Sequence, residues 1–172
     1  MSPRTGPLHP WTRVNLVLAA LLVGLLAWEW SSTRPDPQGA LLLVDPEQVD
    51  SIRVQSGPRL ELALQRDADG WRITHPADRS ARPERVAQLL AVVRAPVRYR
   101  FAAPPDLDRY GLGTPAAALH LDGSGMSPVT LAFGDRDPAQ NQRYVLADGE
   151  IRLVDEVFFS LLSLPTDHFT AD

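Results

Sequence analysis

The chain contains no cysteine and no lysine. Without cysteine there is no disulfide, no thiolate metal centre and no thiol nucleophile. A domain outside the cytoplasm must then be held by its apolar core alone, which is feasible at about 140 residues. All basic side chains are arginines, 17 of them against 21 acids. From Ser31 onward 15 arginines face 20 acids, a net charge near −5 that argues against nucleic acid as a partner. Histidine is also scarce. His9, His75, His120 and His168 include no pair at the i, i+4 spacing of a helical metal site. There is no Gly-x-Ser-x-Gly elbow and no phosphate loop with a Lys-Ser/Thr pair. Asp135-Arg136-Asp137 with Asn141 lacks the glycine and the glutamate of a calcium loop and is read as a solvated turn. These absences predict a protein that is not an enzyme, with no cofactor and no metal.

One long apolar run is present, Trp11 to Trp30. Twenty residues of helix rise about 30 Å, the thickness of a bilayer's hydrocarbon core. Nine Leu or Val residues lie between Val14 and Leu26, and together they favour insertion by about 3–5 kcal/mol. Trp11, Trp28 and Trp30 bracket the run as interfacial aromatics do. A cleaved signal peptide is the main rival, but Trp28-Glu29-Trp30 is a poor cleavage site. Arg4 and Arg13 lie on the N-terminal side of the apolar stretch that begins at Val14 and Arg34 follows the run, so the positive-inside rule puts the N-terminus in the cytoplasm. The expected organisation is a cytoplasmic tail over 1–10, a transmembrane anchor over 11–30, a proline-stiffened linker over 31–39 and an outer domain over 40–172.

The outer domain reads as short strands and two helices. Leu41 to Val44 is brief and apolar. Ile52 and Val54, then Leu60, Leu62 and Leu64, then Trp71 and Ile73 alternate with polar residues, and Gly57-Pro58 and Asp69-Gly70 mark turns between them. Val86, Leu89, Leu90 and Val93 share one face of a helix, with Pro83 in its first turn and Ser80 as its cap. Val97, Tyr99 and Phe101 oppose Arg98 and Arg100 on a further strand. Asp106 to Tyr110 reads as a single turn closed by a left-handed Gly111, with Leu112 packing back. Strands at 117–121, 129–133, 143–146 and 151–153 follow. A last helix carries Val154, Val157, Phe158 and Leu161 on one face. The expected fold class is α+β: a single transmembrane helix, then an antiparallel sheet with two amphipathic helices, arranged as a duplicated strand-strand-strand-helix unit.

The Gly70-Trp71-Arg72-Ile73 strand, the Asp106-Leu107-Asp108-Arg109-Tyr110-Gly111-Leu112 stretch with Pro115 three residues on, Phe133-Gly134-Asp135 and Arg143-Tyr144-Val145 follow one another in this order. In them the chain resembles the family catalogued as domain of unknown function 4340, over roughly Leu41 to Leu164. Tyr110, Gly111, Leu112 and Pro115 form the most specific part of the likeness. The resemblance implies a membrane-anchored bacterial envelope protein, and for some members a link to the auxiliary component of a gliding-type ABC transporter. It supplies no catalytic residues.

Arg94, Arg98, Arg100 and Arg109 are the candidate binding residues, for lipid headgroups, a partner's carboxylates or an anionic ligand. The expected location is the bacterial inner membrane, with the outer domain periplasmic. The partners expected are the bilayer, through the apolar run, and a membrane protein. The expected function is an interaction or accessory module of a membrane complex. The alternative is an outer domain that binds a small molecule or lipid in a pocket between sheet and helices.

Overall fold

The computed structural model describes residues 39–171. The described residues lie within one compact unit, Asp36–Asp172. The tail, the apolar run and residues 31–38 of the linker lie outside the described residues, and so does the expected membrane-spanning helix. Among the described residues no helix is long and apolar enough to cross a membrane.

Period-two alternation builds the strands. Ile52 and Val54 are buried in β1 (Ser51–Ser56), Leu62 and Leu64 in β2 (Arg59–Asp67), and Ile73 in β3 (Gly70–His75). A two-residue β4 (Arg79–Ser80) follows. Then come α1 (Pro83–Leu90), a 3₁₀ turn over Ala91–Arg94 and β5 (Tyr99–Ala102). The second half runs β6 (Ala117–Asp122), β7 (Val129–Arg136), β8 (Gln142–Ala147), β9 (Glu150–Asp155) and α2 (Glu156–Leu162). Asp148 and Gly149 both take positive φ, 51° and 74°, the geometry of a tight hairpin between β8 and β9.

All nine strands join one antiparallel sheet in the order β4-β3-β2-β1-β6-β7-β8-β9-β5. One face carries the main core. Leu119, Leu121, Leu131 and Phe133 of the central strands are buried there with Val86 and Leu89 of α1, Leu162 of α2 and Phe169. Each fully buried Leu or Phe contributes ~1.5–3 kcal/mol. The ring of Phe159 on α2 lies 6.0 Å from that of Phe133. A smaller core on the opposite face joins Leu112, Ile151 and Leu153, with Leu107, Tyr110 and Tyr144 packed against them.

The α+β expectation is corrected by this arrangement. The domain is mostly β, one nine-stranded sheet with helices of 8 and 7 residues. Nor are there two separate strand-strand-strand-helix units. β5, which precedes the second meander in sequence, pairs with β9 and forms that meander's outer strand. Local details differ as well. Residues 41–42 form no strand; Leu41 and Leu42 donate backbone N–H bonds of 2.8 Å to Ala95 and Val93, and both are buried. Ser80 belongs to β4 and does not cap α1, whose N-cap is Arg82. Val93 lies in the 3₁₀ turn beyond α1. Val154 ends in β9, because the Asp155 carboxylate accepts from Val157 N at 3.0 Å and starts the helix there.

Candidate functional site

β5 is the outermost strand on its side of the sheet. Tyr99 stands opposite Leu153 and Phe101 opposite Ile151. Tyr144 also stands opposite Leu153, from β8. The three aromatics therefore share the face that bears the smaller core. Tyr110 completes the group, 5.6 Å from Phe101 and 5.0 Å from Tyr144 between ring centroids, the second contact edge to face. Tyr99 remains 62% exposed and Phe101 37%. The segment entering β5 is bridged by residues 39–40, with Ala40 opposite Pro96 and Val97 N donating to Gly39 O. β4 is closed by the C-terminal segment, where Ala81 bridges to Thr170 and Ala171 N donates to Ser80 O.

The aromatic group rests on a hydrogen-bonded turn packed against β7. Leu107 to Leu112 forms a 3₁₀ turn over Asp108–Tyr110, ended by Gly111 at φ 67°. Leu112 N donates to Leu107 O at 3.0 Å, and Leu112 is buried. The turn lies against β7 so closely that a β-carbon on Gly134 would meet the Tyr110 carbonyl oxygen at 2.2 Å. Pro115 sits half-buried two residues before β6. Beneath the rings, the Tyr144 hydroxyl donates to Asp137 at 2.8 Å. The other Asp137 oxygen accepts from Ala139 N and Gln140 N. These bonds, Tyr144 first, hold the Asp137 carboxyl below its ordinary range, while burial and then Asp137 push the Tyr144 phenol upward. The pair is a fixed neutral-to-anion hydrogen bond, with no proton poised for transfer near neutral pH.

The four candidate arginines do not converge on one cavity. Arg94 ends the 3₁₀ turn after α1 and lines a cleft with Arg66 and Trp71. Arg98 lines a separate cleft with Tyr99, Gln142 and Asp155. Arg100 lies in β5 opposite Arg152. Arg109 lies in the turn under Tyr110, and its charge is felt at Tyr144. Arg98, Arg100 and Arg109 thus sit around the β5 side, and Arg94 does not.

Nothing in the sequence pattern singles out Arg152. It is 9% exposed, neutralised by Glu150 at 3.0 Å and Asp148 at 3.7 Å, and it donates to the Leu41 carbonyl. Nor does the sequence show that Tyr99 and Phe101 are exposed, because alternation defines a strand and not its place in the sheet. His120 lies between Arg53 and Thr130 on the helix-free face, with Nδ1 2.9 Å from the Thr130 hydroxyl. Burial, then the Arg53 charge, lower its pKa. No group of three or more metal-ligating side chains exists among the described residues.

Residues 71–171, more than half of the chain, match the model of a family described as Domain of unknown function (DUF4340). No curated protein and no solved structure matches the chain.

Proposed function

This chain belongs to the DUF4340 family, and from that premise we propose that it is a membrane-tethered, non-enzymatic envelope protein that works by contact. In this reading it is an accessory module of a membrane complex, with an ABC-type transporter as the partner class. The apolar run over residues 11–30 holds it to the inner membrane, and the sheet domain lies in the periplasm. Tethering raises the domain's effective concentration toward a membrane partner, so a weak interface suffices.

The observation that carries this reading is the exposed aromatic pair on the outer strand β5. β5 carries Tyr99 and Phe101 on one face, with Tyr99 62% exposed, whereas the two-residue β4 carries no aromatic side chain. Natural sheets shield their outer strands, and an aromatic outer strand on a hydrogen-bonded turn fits strand-to-partner docking. The arginines at 98 and 109 flank it with charge that sets orientation. The test uses the full chain in native membranes. Tyr99→Ser should keep the unfolding midpoint and lose a co-purifying integral membrane protein, while Glu61→Gln should retain it. Equal recovery with both variants rejects β5 as the contact.

A further inference from the structure

A cleft of about 680 Å³ lies between α1 and the β2–β3 hairpin, far from β5 in the strand order. Its floor is apolar: Trp71 from β3, and Pro83, Ala87 and Leu90 from α1. Pro83, Ala87 and Leu90 recur at i, i+4 and i+7, a second stripe beside the buried Val86 and Leu89. The proline and the alanine on this stripe are small and leave the space open. Its volume is that of a small-molecule site.

The rim carries both signs of charge. Arg66 stacks on Trp71, its guanidinium carbon 4.9 Å from the ring centre, and spends one N–H on the Glu47 carbonyl at 2.9 Å. Among the described residues the side chains of Arg94, Glu47 and Asp69 make no hydrogen bond or ion pair. Asp67 also reaches the rim, but its charge is met by Arg72 at 3.2 Å. Two guanidiniums and two uncompensated carboxylates therefore surround an apolar floor. An anion alone would meet Glu47 and Asp69, and a cation alone would meet Arg66 and Arg94.

We propose that this cleft binds a small zwitterionic amphiphile. Its apolar body lies on Trp71, Ala87 and Leu90, its anionic group faces Arg66 and Arg94, and its ammonium faces Glu47 and Asp69. A zwitterionic lysophospholipid and a free apolar amino acid share this chemistry. The site is independent of the β5 contact.

Trp71 is the one tryptophan outside residues 11–30, so it reports on the cleft. The experiment uses the full chain with Trp11, Trp28 and Trp30 changed to Phe, in nanodiscs of phosphatidylglycerol. Lysophosphatidylethanolamine, lysophosphatidylglycerol of the same chain length, and phenylalanine are titrated separately while Trp71 emission is followed. A saturable shift with lysophosphatidylethanolamine, about tenfold tighter than with the anionic lysolipid, supports the proposal with a lipid ligand. A saturable shift with phenylalanine supports it with an amino-acid ligand. Ala87→Phe fills the cleft and should abolish the shift, and the surface variant Arg94→Glu should weaken it about tenfold while leaving the unfolding midpoint in place. Saturable shifts of equal affinity with both lysolipids, response to neither zwitterion, or a shift untouched by Arg94→Glu overturns it.

Discussion

A β-carbon placed on Gly111 would stand 2.4 Å from the Cγ of Asp135. Gly111 also holds φ at 67°. Two separate constraints thus require glycine where the turn carrying Tyr110 meets the end of β7. Gly111→Val should destabilise the domain by at least about 1–3 kcal/mol from backbone strain alone, with the steric clash added. Denaturant unfolding at neutral pH measures this, and an unchanged midpoint would mean the turn does not hold Tyr110 as described.

Arg143 ties β8 to α2. Nε and Nη2 donate to the two oxygens of Glu156 at 2.8 and 2.7 Å, Nη1 donates to the Gly134 carbonyl, and the guanidinium carbon lies 3.6 Å from the ring centre of Phe159. The side chains are 12% and 25% exposed, so removing one leaves the other poorly solvated. Arg143→Ala should cost about 2–3 kcal/mol. The double variant Arg143→Met with Glu156→Leu should cost less than Arg143→Ala. A double-mutant cycle by urea titration checks the coupling, and additive losses would show that the two side chains act separately.

His120 makes stability depend on pH with a defined sign. Its folded pKa lies below the ordinary 6.5, so the unfolded chain takes up the proton first as pH falls. The stabilising contribution is present in full above pH 6.5 and is lost as pH falls below it through the folded value. His120→Gln should flatten that part of the profile. Unfolding free energies measured at intervals from neutral to mildly acidic pH give the comparison, and an identical slope in the variant would assign the dependence elsewhere.

Legibility followed the range of the interactions. Ile52 and Val54, or Leu62 and Leu64, declare their strand because alternate residues share one face. Gly111 could be read because a left-handed residue after a single turn is a local requirement. Sheet order is not local. Tyr99 and Phe101 have the pattern of a core-facing strand, yet their strand is added outside β9 from earlier in the chain, and the rings stay exposed. Arg152 sits among Ile151, Leu153 and Val154 in a strand buried on both faces, and its acceptor at Leu41 is 111 residues away. The α1 cleft was hidden for a different reason. Small residues at 83 and 87 fit a helix equally well whether something packs on them or nothing does.

The central claim is contact through the β5 side. It is tested most directly by photo-crosslinking in native membranes, with the reactive residue placed singly at Arg98, Tyr99 or Glu61 of the full chain. Adducts with one integral membrane protein at positions 98 and 99, and few at 61, are the expected result. Adducts concentrated at position 61, or equal at all three, would contradict it.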